Sequence, residues 1–238
     1  PHSSLDVPIY HCAFETAASS ASGVRAGLDM VGDTESTVMA WAGDGGTFDI
    51  GIQALSGAAE RNEDFIYTCY DNEAYMNTGI QRSSATPLGA WTTTTPVKHY
   101  KKERKKDIIG IMAAHAIPYI ATASIAYPED MVKKFKKAKD IRGTRFIHVY
   151  APCPTGWKSR PEDTVKLARL AVQTSYFPLY EIEDGERWML NLKVKERKPI
   201  TDYLKLQGRF RHLKQDEIDL IQAEVEANYQ RILKKCGL

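Results

Sequence analysis

The stretch TVMAWAGDGGTFDI, residues 37–50, decides the fold. Five apolar, β-prone residues from Thr37 to Trp41 run into Ala42-Gly43-Asp44-Gly45-Gly46, and helical spacing follows at Ile50, Ala54, Leu55 and Ala58. Such a run, stopped by glycines and followed by a helix, has the profile of a strand buried on both faces of an α/β sheet with a tight turn at its carboxyl end. Glycines there admit positive φ and let a phosphate approach the backbone, while the helix start offers N–H groups and partial positive charge. Asp44 is the anomaly, because a carboxylate among phosphate-facing glycines repels a bare diphosphate. It makes sense with a divalent cation in between, and Mg²⁺ commonly takes one or two protein oxygens plus phosphate and water.

A second ligand source belongs at another strand end. The segment Phe65–Tyr70 reads as the next strand, after the turn signal Asn62-Glu63-Asp64, and Asn72 follows it directly. Upstream, AFETAASSASGVRAGL (13–28) reads as a closely packing helix that ends near Gly32. Downstream, residues 71–100 are rich in Asn, Thr, Ser, Gly and Pro and read as one long loop, a kind usually kept for function. Alternation then resumes: helix over Asp107–His115, strand over Pro118–Ala123, helix over Pro128–Lys139, strand over Arg145–Ala151. This order predicts right-handed crossovers and a mostly parallel sheet covered on both faces. Pro161–Thr174 carries helix-start chemistry, Leu179–Lys195 reads as a hairpin turning at Glu183-Asp184-Gly185, and Lys214–Lys235 as a final amphipathic helix. The expected division is an α/β domain over 1–177 and a C-terminal extension over 178–238 suited to contacting partner subunits.

Composition narrows the class. The 238 residues carry 32 basic and 30 acidic side chains, 43% hydrophobic and 26% charged residues, the profile of an ordinary globular domain rather than a disordered or disulfide-stapled one. Near-neutral charge gives no global argument for nucleic acid or membrane as a partner, and no apolar run approaches the ~20 residues of a membrane span. Cys12, Cys69, Cys153 and Cys236 stand singly with no CxxC, which predicts a reducing, cytoplasmic setting.

GDG followed by Asn at this interval resembles the cofactor signature of thiamine-diphosphate enzymes. In that likeness Asp44, the Asn72 side chain and the Ala74 carbonyl bind Mg²⁺, and Gly43, Gly45 and Gly46 face the diphosphate. The run YDNEAYMNTGIQRSSATPLGAWTTTTP, residues 70–96, closely resembles the β subunit of archaeal and bacterial 2-oxoacid:ferredoxin oxidoreductases, in particular the pyruvate branch. AGDGGTFDIGIQALSGAAER (42–61), ATASIAYPED (121–130), APCPTGW (151–157) and YLKLQGRFRHL (203–213) match the same family in the same order, so the resemblance spans the whole chain.

The resemblance implies a three-layer thiamine-diphosphate-binding fold and oxidative decarboxylation of a 2-oxoacid, with electrons passing through [4Fe–4S] clusters to ferredoxin and coenzyme A taking the acyl group in pyruvate-type enzymes. Pyruvate is the expected substrate, with oxalate and 2-oxoisovalerate as alternatives. The implied partners are an α subunit and γ/δ subunits. Asn77, with Thr78 and Gly79 in the same turn, would face the cofactor and its bound 2-oxoacid. Cys153 matches the fourth cysteine of a [4Fe–4S] set whose other three ligands lie ahead of the segment aligning with Pro1, which implies a longer polypeptide. A cluster-free decarboxylase or synthase of the acetolactate type shares GDG and Asn72 but gives Cys153 no purpose. A dinucleotide-binding module leaves Asp44 unexplained.

Two further expectations concern charged residues. KHYKKERKK (98–106) reads as a solvated run or, alternatively, a patch for coenzyme A phosphates or acidic ferredoxin. His115 and His148 read as structural, without carboxylate or cysteine company, and Glu73 as a structural neighbour of the site.

Overall fold

A computed structural model describes residues 6–238. Helix α1 (Ala17–Met30) leads into β1 (Met39–Gly43), a single π-helical turn (Gly45–Asp49), α2 (Ile52–Glu60) and β2 (Phe65–Asp71). After the long loop come α3 (Ile108–Ala114), β3 (Tyr119–Ser124), α4 (Pro128–Asp140) and β4 (Thr144–Tyr150). The chain continues through α5 (Pro154–Trp157), α6 (Thr164–Gln173), the strands β5 (Tyr180–Glu183) and β6 (Arg187–Leu190), α7 (Ile200–Leu204) and α8 (Gln215–Lys235).

The six strands form one sheet in the order β1-β2-β4-β3-β5-β6. The first four are parallel, with Gly43 opposite Tyr70 and Cys69 opposite His148, and the last two are antiparallel additions. Alternation sorts the strand side chains between two layers. Phe65, Tyr67, Cys69, Ile120 and Phe146 pack with α1, α2 and α3, whereas Ile66, Ala121, Ile147 and Val149 pack with α4. Helix α4 follows its local chemistry: Pro128 opens it, Glu129 and Asp130 lie in its first turn and Lys137 and Lys139 in its last, matching the helix dipole. In α3 the Asp107 carboxylate accepts the Gly110 N–H at 2.9 Å, an N-cap.

The expectation of a strand buried on both faces holds for β2, β3 and β4 but fails for β1. Val38, Ala40 and Ala42 point inward, while Met39 is 46% and Trp41 58% exposed. β1 is one of the sheet's two edge strands, and among the described residues no helix covers its outer face. Trp41 instead stacks on Tyr70, ring centroids 6.0 Å apart.

Residues 178–190 do not stand off from the sheet. β5 pairs with β3, placing Ile182 opposite Ile120, and the hairpin turns through Asp184 (φ 53°) and Gly185 (φ 71°). A Cβ on Gly185 would lie 2.4 Å from the Ala113 carbonyl oxygen, so the close packing of this turn on α3 requires glycine. The remainder shares a core: Ile200, Tyr203, Phe210, Ile221 and Val225 pack with Tyr150, Trp157 and Leu167 at the carboxyl end of the sheet. No described helix is long and apolar enough to cross a membrane.

Candidate cofactor and metal site

The parallel pairing of β1 and β2 brings their carboxyl ends together, and with them Asp44 and the loop that starts at Asn72. In open parallel sheets this edge is where ligands bind. Asp44 is 1% exposed, its Oδ2 accepting from Ser83 Oγ at 2.5 Å and its Oδ1 from the Asn72 N–H at 3.4 Å. The Asn72 side-chain oxygen stands 3.0 Å from Asp44 Oδ1 and 2.9 Å from the Ala74 carbonyl oxygen. In that orientation the side-chain oxygen faces only acceptors, and exchanging its O and N satisfies both contacts.

Two arrangements relieve that repulsion. The amide can turn so that its NH₂ donates to both oxygens, or a cation can stand against all three. Octahedral Mg²⁺ at 2.0–2.1 Å from its ligands separates neighbouring oxygens by about 2.9 Å, so the two spacings about Asn72 match edges of such a shell. Burial, reinforced by the Asp71 carboxylate, holds the Asp44 carboxyl well above the usual carboxylate range. A divalent charge reverses that balance.

The glycines serve close approach rather than unusual dihedrals. A Cβ on Gly45 would meet the Tyr75 ring at 2.2 Å, and one on Gly46 the Phe14 carbonyl oxygen at 2.8 Å. Thr47 Oγ1 donates to the Gly43 carbonyl at 2.8 Å, fixing the start of the turn.

Asn77, Thr78 and Gly79 occupy the exposed tip of a turn closed by the Tyr75–Gln81 bridge. Gln81 Nε2 donates to the Thr78 carbonyl at 2.7 Å, and Gly79 has φ 118°. These three residues share the long loop with Asn72 and Ala74 but have no hydrogen bond to Asp44 or Asn72. Cys153, partly buried, sits just before α5, which packs on the same loop: a Cβ on Gly156 would lie 2.2 Å from Met76 Sδ, and Trp157 Nε1 donates to the Asn72 carbonyl at 2.8 Å. Cys69 is buried in β2, Cys12 is exposed ahead of α1 and Cys236 lies at the end of α8. Among the described residues no three His, Cys, Asp or Glu side chains converge on a metal position. The described cysteines therefore do not build a four-thiolate cluster site.

The lysine-rich run is solvated only in part: Lys98, His99, Lys102, Glu103 and Arg104 are exposed, while three lysines turn inward. Lys101 is 2% exposed and its ammonium donates to the carbonyls of Thr86, Ser84 and Arg104. Lys105 bonds the Asp71 carboxylate at 2.5 Å and that of Glu73 at 3.1 Å, and Lys106 reaches the Phe48 carbonyl. Three lysines turn inward because the long loop exposes carbonyls and carboxylates that need donors. The expectation for His148 is corrected as well. Its Nε2 lies 2.7 Å from Asp71 Oδ2, because parallel register puts it opposite Cys69 and Asp71 follows on the same face. Against the upward push of burial, Lys105 and His148 hold Asp71 well below the usual carboxylate range, and burial lowers the His148 imidazole. His115 pairs only with Ser56 Oγ at 3.0 Å.

Burial, aided by the Arg82 and Lys105 charges, pulls the Lys101 ammonium down from its ordinary 10.5 to about 8. Between those values the unfolded chain holds a proton that the folded chain has released, so this residue makes stability rise with pH, while below about 8 its full penalty stands. Lys101→Met is expected to remove a rise of up to about 1.4 kcal/mol per pH unit. Urea unfolding of both proteins from pH 8 to 10 checks this, and parallel curves would contradict it.

Residues 1–149 match the family described as thiamine pyrophosphate enzyme, C-terminal TPP-binding domain. The chain is 51% identical to the ketoisovalerate oxidoreductase subunit VorB of Pyrococcus furiosus, over 98% of this chain and 78% of that protein. It is 52% identical to the pyruvate synthase subunit PorB of Methanothermobacter marburgensis, over 98% and 81%. Among solved structures, the 2-oxoglutarate:ferredoxin oxidoreductase from Magnetococcus marinus, with 2-oxoglutarate, coenzyme A and succinyl-CoA bound, superposes with a TM-score of 0.53 at 22% identity. That match covers 66% of this chain and 58% of the other, and it shows a shared fold.

Proposed function

Because the chain belongs to the thiamine-pyrophosphate-binding β subunits of the 2-oxoacid:ferredoxin oxidoreductases, we propose that it holds Mg²⁺ and thiamine diphosphate at Asp44, Asn72 and Ala74 for oxidative decarboxylation of pyruvate. The burial of Asp44 at the joined ends of β1 and β2, with the Asn72 amide 2.9–3.0 Å from both Asp44 Oδ1 and the Ala74 carbonyl oxygen, supports the metal assignment. When bound, thiamine diphosphate supplies the carbon nucleophile and the electron sink.

The protein's part is binding and orientation. Asp44, Asn72 Oδ1 and the Ala74 carbonyl hold the cation that neutralises the diphosphate; Gly43, Gly45 and Gly46 leave room for the phosphates beside the following turn. Asn77, Thr78 and Gly79 border the substrate end of the cofactor from the exposed turn, with Asn77 donating to the bound 2-oxoacid. Cys153 contributes one thiolate to a [4Fe–4S] cluster, whose remaining ligands come from outside the described residues.

Pyruvate is favoured over 2-oxoisovalerate and oxalate by the likeness of residues 70–96 to the pyruvate branch, since overall identity to the two named subunits is nearly equal. Residues 178–238 are proposed to meet the α and γ/δ subunits, and ferredoxin and coenzyme A to serve as acceptors in a cytoplasmic complex. Reduction of a viologen dye by the assembled enzyme tests this with each 2-oxoacid in turn, with and without coenzyme A. Coenzyme A-dependent reduction with pyruvate is expected. Reduction by 2-oxoisovalerate alone would move the substrate, and reduction by none of the three would overturn the proposal.

A further inference from the structure

Between the two loop residues that offer oxygen to the cation stands Glu73, and its backbone is left-handed at φ 66°. For a residue with a Cβ that conformation is strained and persists only under external restraint. The restraint is visible on every side. The Glu73 N–H donates to Asp71 Oδ1 at 2.9 Å, and its carbonyl accepts from Thr86 Oγ1 at 2.7 Å. Its fully buried carboxylate accepts from Lys105 Nζ at 3.1 Å and Tyr176 OH at 2.8 Å on one oxygen, and from an Arg209 guanidinium nitrogen at 2.5 Å on the other.

Arg209 is fixed in turn. Its Nε donates to Gln207 Oε1 at 2.9 Å, and the guanidinium lies 3.9 Å over the Trp157 ring, whose N–H holds the Asn72 carbonyl. Of the three consecutive carbonyls, those of Asn72 and Glu73 are thus occupied. The Ala74 carbonyl oxygen instead faces the Asn72 side-chain amide, whose NH₂, once the amide is turned, reaches it at 2.9 Å. Trp157, Tyr176 and Arg209 all lie beyond residue 149, where the matched cofactor-domain family ends.

We propose that Lys105 and Arg209 are positioning residues: gripping the Glu73 carboxylate from two sides, they hold the 72–74 turn so that Asn72 Oδ1 and the Ala74 carbonyl face Asp44, and divalent-ion affinity depends on them. The proposal rests on the cation site assigned above. Neither side chain hydrogen-bonds Asp44 or the Ala74 carbonyl; the Lys105 charge also favours the ionised Asp44 directly, whereas Arg209 acts through the turn, so Arg209→Lys isolates the positioning effect. A purely structural ion pair would lower stability and leave the affinity of the folded protein unchanged.

Lys105 also lines a cavity of about 550 Å³ between the lysine run and α8, alongside His148, Tyr176 and Ile221. A small amine can therefore enter the space left by a shortened side chain, which makes chemical rescue possible.

The test uses the assembled enzyme, freed of divalent ions with a chelator and resupplied with thiamine diphosphate, with Mn²⁺ binding followed by electron paramagnetic resonance. Lys105→Met is expected to weaken Mn²⁺ binding roughly 10–100-fold, the usual consequence of losing a group that orients metal ligands. Lys105→Ala should do the same, and ethylammonium should restore part of the loss. Arg209→Lys should weaken binding several-fold, since a single ammonium cannot replace the planar fork, and it carries the test if the Lys105 variants fail to assemble. Affinity within about twofold of wild type in Lys105→Met, or in Arg209→Lys where that variant carries the test, would overturn the clamp, as would absence of amine rescue. Asp44→Ala separates the two levels: if it binds Mn²⁺ as wild type does, the cation site is wrong, and if it alone loses binding, only the clamp is wrong.

Discussion

Replacing Asp44 with alanine is expected to abolish Mg²⁺-dependent binding of thiamine diphosphate, with no heat of binding detectable by calorimetry at cofactor concentrations that saturate the wild type. Asp44 provides the only charged ligand among the three proposed oxygens, and it sits at 1% exposure against the following glycines. Without it, two neutral oxygens remain for a cation that must offset a diphosphate, and Mg²⁺ dehydrates reluctantly for such a set. Removing the carboxylate also frees Ser83, whose hydroxyl loses its 2.5 Å acceptor, but that change is local. Asp44→Asn is expected to retain the fold and bind weakly, because the shape survives and the charge does not. Unchanged affinity in the alanine variant would remove Asp44 from the metal site.

The second large effect concerns stability. Glu73→Gln keeps the side-chain volume but removes the charge that balances Arg209, which is 2% exposed, and part of what balances Lys105. Breaking a buried pair from one side leaves an uncompensated charge and costs about 3–5 kcal/mol. For a chain of this size that corresponds to a fall in melting midpoint on the order of 10 °C. Replacing the whole set with apolar residues of similar volume is a different experiment with a smaller expected cost, since the desolvation penalty vanishes with the charges. Thermal or urea unfolding of Glu73→Gln checks the value, and an unchanged midpoint would contradict it.

Most of the fold was legible because it is written in local signals. Apolar runs of strand length located β1 to β4 to within two residues, the first stopped by glycines; Asp107 and Pro128 marked helix starts, and Asp184-Gly185 marked the hairpin. The pairing of Asp44 with Asn72 was legible for a related reason: both follow strands, and adjacent parallel strands bring their ends together. The outer face of β1 was misread because an edge strand and a central strand share one apolar pattern, and position in the sheet is a tertiary fact.

The clamp was illegible. Lys105 lies in a run whose composition matches any solvated loop, and Arg209 sits 136 positions from Glu73. Nothing in sequence marks which lysine of KHYKKERKK turns inward, since that depends on where the loop leaves carbonyls and carboxylates without donors. Ser83 lies in an equally plain Ser-Ser-Ala-Thr segment, yet its hydroxyl bonds Asp44. One signal was available for Asp71: an acid closing an apolar strand beside a metal-ligand candidate requires a partner, and both Lys105 and His148 supply one.

The central claim is that Asp44, Asn72 and Ala74 together ligate the cation that anchors the cofactor. Anomalous diffraction at the manganese edge, from crystals of the assembled enzyme equilibrated with Mn²⁺ and thiamine diphosphate, tests it most directly. A single peak is expected about 2.1 Å from Asp44 Oδ1, Asn72 Oδ1 and the Ala74 carbonyl oxygen, with the diphosphate on its open side. A peak bound elsewhere, or cofactor density at this strand edge with no metal between it and Asp44, would contradict the assignment.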